Sequence, residues 1–420
     1  MTDRNANRPG YKQTKVGWIP EEWDARRLDS TSTVIMGQSP NSEFYNEQGQ
    51  GLPLIQGMSD ISDGKTQPRY WTTQITKECQ PDDIILSVRA PVGSVARSIH
   101  HGCIGRGVCA IRSKKSSDFT FQLLQYMEPV WARYSQGSTF EAVVSKDVKQ
   151  FPVPTPPLSE QKKIAEILST WDRAIEQTQK LIDAKQRLKK GLMQHLLTGR
   201  MRFPGFGAPA EKAGELPEGW EERKLAEVAK VIISGVDKKT KKDEIPVFLC
   251  NYMDVFQNQY ITSDCNFMVA SATKAEIEKY KLQKNDVLLT KDSETREDIA
   301  NSAIMLENIP DLICGYHLAI LRPKDQFVDG LFLAYIINFG TFHNYFVTRA
   351  NGVTRFGVTI ESIKGLMVRI PNLVEQKKIA FSLLNLDNEQ KLLIQRVNLL
   401  KKQKGGLMQK LLNGEVRAKV

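Results

Sequence analysis

The sequence predicts an α+β protein written twice: a mixed α/β globular domain and a long helix, followed by a second such domain and a second long helix. Three observations predict it. The opening of the chain recurs 197 residues later, the helical segments recur at an offset of 215, and the stretches between carry strand and turn signals without a helical period. A period of this length is far too long for a solenoid and marks two copies of a large unit, a pseudo-twofold internal repeat.

The openings are Pro20-Glu21-Glu22-Trp23-Asp24-Ala25-Arg26-Arg27-Leu28 and Pro217-Glu218-Gly219-Trp220-Glu221-Glu222-Arg223-Lys224-Leu225. Trp23 and Trp220, at matched positions, are expected to be core anchors rather than stacking platforms. Between openings and helices, Asp83-Ile84-Ile85-Leu86-Ser87-Val88 and Asp286-Val287-Leu288-Leu289-Thr290 have the composition of strands introduced by an acidic turn. Cys109-Ala110-Ile111 and Leu318-Ala319-Ile320-Leu321 continue that pattern, and Pro91-Val92-Gly93-Ser94 is a loop.

The closing segments lack internal proline and are rich in Leu, Lys, Gln and Glu, so helices are expected. Between 158 and 202, 18 of 45 positions match those 215 later. Ile379, Leu386, Leu393, Leu400 and Leu407 fall every seventh residue; Leu168, Ile175, Ile182 and Leu196 keep that spacing with Lys189 breaking it. Such spacing is a coiled-coil seam, and the two copies are natural partners for each other. Pro156-Pro157 and Pro371 bar helix upstream, while Gly199 and Gly414 supply C-terminal caps. About 40 residues give a rod of roughly 60 Å. The expected organisation is a first domain at 1–157 with an arm at 1–16, a helix at 158–202, a linker at 203–216, a second domain at 217–372 and a second helix at 373–420.

Composition excludes several classes. With 420 residues, 41% apolar and 25% charged, the chain is ordinary globular material. No apolar run reaches the ~18 residues of a membrane span, and the first residues lack an apolar signal core, so a cytoplasmic protein without membrane contact is expected. Six cysteines without a Cys-x-x-Cys and five scattered histidines argue for reduced thiols and against a metal site; no cofactor is expected. The net charge of +10 is concentrated in 158–202 (+5) and 373–420 (+6), whereas 1–157 carries +2 and 203–372 carries −3. Nucleic-acid reading by the globular parts must then rest on local groups rather than a broad basic face.

A coiled-coil seam constrains only its inward positions, yet the consecutive polar residues Glu160, Gln161, Lys162 and Lys163 recur as Glu375, Gln376, Lys377 and Lys378. They are expected to be exposed and to dock the same partner twice, with helix-start chemistry or residual ancestry as the competing reading.

These residues carry a family resemblance. Gly-Trp-Ile-Pro-Glu-Glu-Trp (17–23), Leu-Pro-Glu-Gly-Trp (216–220), the two Glu-Gln-Lys-Lys-Ile-Ala segments and Gly-Leu-Met-Gln-x-Leu-Leu-x-Gly at 191–199 and 406–414, in order and twice, resemble the specificity subunit of Type I restriction–modification enzymes over essentially the whole length. Asp83-Ile-Ile-Leu-Ser and Cys103-Ile-Gly-Arg-Gly-Val-Cys-Ala-Ile-Arg112 resemble strand motifs of that family's target-recognition domains. The resemblance implies two target-recognition domains separated by an antiparallel coiled coil, each reading half of a split asymmetric duplex target. It further implies a non-catalytic DNA-binding subunit that docks two methyltransferase subunits and recruits restriction-translocase subunits. Departures are Val374 in place of Ser159, and Gly405-Gly406 where the first copy has Lys190-Gly191; the glycine pair suggests close packing or a bend, and unequal binding of the two partners.

Base readout favours Arg on guanine and Asn or Gln on adenine, with Ser, Thr and Lys on phosphates. The candidates are Arg89, Arg97, Arg106, Gln136, Ser138 and Thr139 in the first domain. In the second they are Lys291, Arg296, Arg349, Asn351, Thr354 and Arg355, with Gly352-Val353-Thr354 mapping onto Gly137-Ser138-Thr139. Each competes with an ordinary solvated or ion-paired side chain. Lys238-Lys239-Thr240-Lys241-Lys242 reads as a solvated run. Asp63-Gly64-Lys65-Thr66 lacks the first glycine of a phosphate-binding loop, Ser59 standing in its place, and no Asn-Pro dipeptide occurs, so neither nucleotide binding nor methyl transfer is expected of this chain.

Overall fold

The computed structural model describes residues 6–62, 64–135, 143–212 and 214–419. The chain divides into two compact units, one made of Met1–Lys180 with Ile394–Val420, the other of Leu181–Leu393. The two long helices, Leu158–Leu196 and Leu373–Leu412, therefore each contribute one half to either unit.

In the first unit a six-stranded sheet has Ile84–Ser87 near its centre, flanked by antiparallel Val95–Arg97 and Val108–Ser113. All four residues of Ile84–Ser87 are buried. Because side chains alternate across a sheet, Ile84, Leu86, Cys109 and Ile111 enter one core with Phe119, Leu123 and Leu124 of the helix Ser117–Tyr126 and with Ile164 and Leu168 of the first long helix. Ile85 and Ala110 point the other way, into a smaller core with Ile55, Cys79 and Ile104. Both faces are covered, so the strand reads as a continuous apolar run rather than an alternation.

The second unit repeats this plan. Val287–Thr290 lies between Ser302–Met305 and Leu318–Pro323 in a five-stranded sheet. Val287, Leu289, Ala319 and Leu321 pack with Phe332, Leu333, Ile379 and Leu383; Leu288, Leu318 and Ile320 pack with Val247, Leu249 and Ile313 of a three-stranded sheet. The acidic turns are the same device twice. Asp82 and Asn285 adopt positive φ (69° and 78°), which Asp and Asn tolerate best among residues with a side chain. Asp83 and Asp286 accept the amides of Gln80 and Gln283 and hold Arg112 and Arg322 in two-pronged ion pairs at 2.7–2.8 Å. The charged rim at the start of each central strand is thereby neutralised.

Matching elements show where the second copy grew longer. The offset is 197 from Asp24–Arg27 to Glu221–Lys224 and 203 from Ile84–Ser87 to Val287–Thr290. It reaches 213 at Ser117–Tyr126 against Gly330–Asn338, and 215 at Pro152–Thr155 against Met367–Ile370. The extra residues enter in small pieces between frame elements, so sequence identity fades in the middles while the frame persists.

Gly405 and Gly406 lie inside an uninterrupted helix, and a Cβ added at either would meet nothing within 4 Å. The expectation of close packing there is corrected: these positions are open.

Candidate nucleic-acid interface and helix junctions

The residues that repeat most faithfully meet at one junction in each unit. In the first, Gly414 ends the second long helix at φ 74°, and a Cβ there would sit 2.4 Å from Pro20 Cδ. Three residues on, Arg417 donates to both oxygens of Glu160 (2.8 and 2.9 Å), and Trp23 Nε1 donates to Glu160 Oε2 at 2.9 Å. In the second unit, Gly199 ends the first long helix at φ 67° against Pro217, with 2.2 Å from a would-be Cβ to Pro217 Cγ. Arg202 donates to both oxygens of Glu375 at 2.9 and 2.7 Å. Here the carboxylate serves the guanidinium, and among the described residues the buried Trp220 Nε1 has no hydrogen-bond partner.

The neighbouring glutamines close each junction. Gln161 Nε2 donates to Pro156 O at 2.8 Å; Gln376 Nε2 donates to Pro371 O and Phe327 O while its Oε1 accepts from Asp329 N. Glu160, Gln161, Glu375 and Gln376 are thus buried within the chain, Glu375 and Gln376 completely. The expectation that these four are exposed docking residues is corrected. A helix start leaves unsatisfied polar groups, and the repeat at these four positions reflects a repeated internal lock. Lys162, Lys377 and Lys378 are exposed and Lys163 is half-buried. Lys378 lies over the rings of Phe203 and Phe206 at 4.8 and 5.5 Å.

Further along the helices one charged pair recurs at matching positions in both units. Lys404 donates to Asp172 at 2.6 Å in the first unit, and Lys189 to Asp387 in the second. Both members differ by 215, so the helix supplying the aspartate in one unit supplies the lysine in the other. Lys189, which breaks the heptad series, is therefore a seam residue with its own partner. Together with Glu160–Arg417 in one unit and Lys185–Glu389 and Arg202–Glu375 in the other, these pairs set the two helix halves antiparallel within each unit. The aspartates also receive side chains from the globular part: Gln122 Nε2 on Asp172 at 2.5 Å, and the Tyr260 and Tyr335 hydroxyls on Asp387 at 2.6 and 2.8 Å. Burial is the main cause pushing both phenols well above their ordinary range, so they act as donors.

Of the first-domain candidates, Arg89 and Arg106 are exposed, and neither guanidinium contacts a described partner. Arg97 is held against the helix Ser117–Tyr126, paired with Asp118 at 2.8 Å and lying over Phe121 at 4.7 Å. Gln136, Ser138 and Thr139 lie outside the described residues.

In the second domain the strand Asp292–Ser293 pairs with Phe356–Gly357 and closes a loop pair. This brings together Lys291, Arg296, Asn351, Thr354 and Arg355; Arg296 covers the Phe356 ring at 5.2 Å and Asn351 bridges Gly357. Gly352 turns this loop at φ 142°, where a Cβ would stand 1.9 Å from Arg355 O. Arg349 instead folds back on its own helix, 3.8 Å from the Tyr345 ring. Two residues that sequence reading missed belong to the cluster. His317 Nδ1 meets Asp292 Oδ2 at 2.9 Å, and Arg355 Nη2 meets His317 Nε2 at 3.3 Å. His317 is 25 and 38 positions from these two partners, a separation no local pattern reveals.

Comparison with known proteins decides the family. The model of the Type I restriction modification DNA specificity domain matches residues 20–186 and again 217–402. The chain belongs to this family. A Methanocaldococcus jannaschii protein assigned as the MjaX specificity subunit is 38% identical over 46% of each chain. The MjaVIII specificity subunit of the same organism is 24% identical over 96% of this chain and 94% of its own length. The chain spans about half the length of the first curated relatives it matches. The S subunit of a Type I restriction–modification system from M. genitalium shares the fold, with a TM-score of 0.59 and 16% identity over 93% of this chain and 96% of that one. In the terms of this specificity-domain family, each match contains one junction opening, one central strand and the first part of one long helix. Among the described residues no group of three His, Cys, Asp or Glu is placed to hold a metal ion, and no helix is long and apolar enough to cross a membrane.

Proposed function

We propose that the chain is the non-catalytic sequence-specificity subunit of a cytoplasmic Type I restriction–modification complex. Its two domains read the unlike halves of a bipartite, asymmetric duplex target. The observation that carries this reading is one frame built twice, with the same Gly–Pro and Glu–Arg junction and the same Asp–Lys seam pair, bearing unlike loops. A repeated frame offers two equivalent mounts, and unlike loops offer two different recognitions. The exposed Arg89 and Arg106, and the Lys291–Arg355 cluster, are the groups assigned to base and phosphate contact. Helices paired as an antiparallel coiled coil set the distance between half-sites, which on one face of B-DNA lie roughly 34 Å apart.

Single-molecule methylation sequencing of a host carrying this chain and its partners tests the reading. A split motif with unlike halves and a fixed spacer is expected; a continuous palindrome, or no motif, would refute it. Deleting one heptad from each helix should alter the spacer or abolish modification while leaving the half-site bases unchanged.

Two methyltransferase subunits and the restriction-translocase subunits are the proposed protein partners. Val374, Lys377, Lys378 and Phe381 are exposed at i, i+3, i+4 and i+7 on one helix face, with Val374 69% and Phe381 62% exposed. Such an apolar and basic stripe suits a partner surface. The matching positions of the first helix are Ser159, Lys162, Lys163 and Glu166, which are more polar. The two docking contacts are accordingly unequal. Val374→Glu with Phe381→Glu should reduce co-purified methyltransferase from two copies to one by native mass spectrometry; two retained copies would remove this stripe from the interface.

A further inference from the structure

We propose that Arg355 reads a guanine in the half-site of the second domain and that the neutral ring of His317 is its positioning residue. The inference rests on the specificity-subunit reading above. An arginine side chain only donates hydrogen bonds. Its contact at 3.3 Å therefore makes His317 Nε2 an acceptor and places the ring proton on Nδ1, which donates to Asp292 Oδ2 at 2.9 Å. Asp292 also receives Lys291 Nζ at 2.9 Å. Its strand is laddered to Phe356–Gly357, so both ends of the relay are fixed to the same two-stranded element. The Tyr316 ring lies 3.6 Å from the imidazole, whose side chain is only 10% exposed, while Arg355 itself is exposed.

This geometry suits readout. One Nη hydrogen bonds His317 and the rest of the fork stays available for the O6 and N7 acceptors of guanine. An arginine ordered before binding loses less side-chain entropy on contact. The groups facing His317 are Arg355, Asp292, Lys291 and the Tyr316 ring. Burial, with the charges of Arg355 and Lys291, outweighs the Asp292 hydrogen bond and holds the imidazole below its ordinary value of 6.5. Burial would raise the Asp292 carboxyl, but the hydrogen bonds from His317 and Lys291 hold it below its ordinary value. Near neutral pH the relay is therefore an uncharged ring between an anion and a cation. As pH falls below 6.5 the ring gains a second proton, Nε2 can no longer accept, and a cation faces Arg355. Recognition by this domain should then weaken on the acid side, while the first domain has no such relay among its described candidates.

The test uses the complex assembled with its methyltransferase partners and a duplex carrying its own motif, with 7-deazaguanine placed singly at each guanine. At about pH 7.5, one substitution in one half-site should weaken wild-type binding roughly tenfold, as expected for loss of an Arg–guanine fork, and have no effect on Arg355→Ala. His317→Leu should lose the same discrimination. His317→Gln, which keeps an acceptor but cannot titrate, should retain it and remove the added loss of binding on the acid side of pH 6.5. Discrimination at the other half-site should be unchanged in all three, which excludes misfolding. Retained guanine discrimination in Arg355→Ala, a half-site without guanine, or a wild-type pH profile in His317→Gln overturns the proposal. A complex with no preference for any duplex fails at the specificity-subunit reading instead.

Discussion

Glu375→Ala is expected to destabilise the unit formed by Leu181–Leu393 by roughly 3–5 kcal/mol, the cost of stranding one member of a buried ion pair. Both carboxylate oxygens of Glu375 are occupied by Arg202, and the two side chains are 0% and 3% exposed. Removing the carboxylate leaves the guanidinium with only the carbonyl oxygens of Ala208 and Glu218, both on Nη1, in place of its buried counter-charge. The internal control is Glu160→Ala, whose partner Arg417 is 38% exposed and can rehydrate; its cost should be roughly 1–2 kcal/mol. Hydrogen exchange resolved by peptide distinguishes the cases. Protection should fall over 217–233 in the first variant far more than over 20–36 in the second. Equal losses would show that the two junctions are energetically interchangeable despite their different burial.

Asp387→Ala is expected to be the second most damaging substitution in the same unit, at roughly 3 kcal/mol. It removes the counter-charge of Lys189 and the common acceptor of the Tyr260 and Tyr335 hydroxyls, all at a site where aspartate and lysine are 12% and 17% exposed. Leucine at position 189, which would restore the heptad series, should recover part of the loss in the Asp387→Ala background, because a buried pair replaced by apolar packing is often neutral. The counterpart Asp172→Ala should cost less, since Asp172 is 41% exposed. Urea denaturation of the three variants measures the differences as midpoint shifts. A Lys189→Leu, Asp387→Ala double variant no better than Asp387→Ala alone would remove Lys189 from the account.

The frame was legible in the sequence because it rests on patterns read locally. Seven-residue spacing, the glycine helix ends and the Asp-led apolar strands depend on neighbours within a few positions, and all are present as helices, caps and strands. What escaped was pairing over distance. Glu160 and Glu375 resemble exposed helix-start residues until Arg417 and Arg202 are brought to them by an antiparallel return. Lys189 resembles a heptad defect until Asp387 faces it. The candidate reading residues were legible by type and only in part by position. Lys291 and Arg355 do converge, but the ring between them, His317, sits on the connection before the strand Leu318–Pro323 and carries no motif. Arg97 and Arg349 have the right chemistry and are engaged with Asp118 and Tyr345.

The junction at Gly414 has a bearing on how the protein is made. Tyr11 donates its hydroxyl to Gly414 O, and Arg417 reaches back to Glu22 and Glu160, across separations of up to 403 residues. On a ribosome Tyr11 and Glu22 emerge long before Gly414 and Arg417, so the unit they share stays open to proteases until that distant segment has been made.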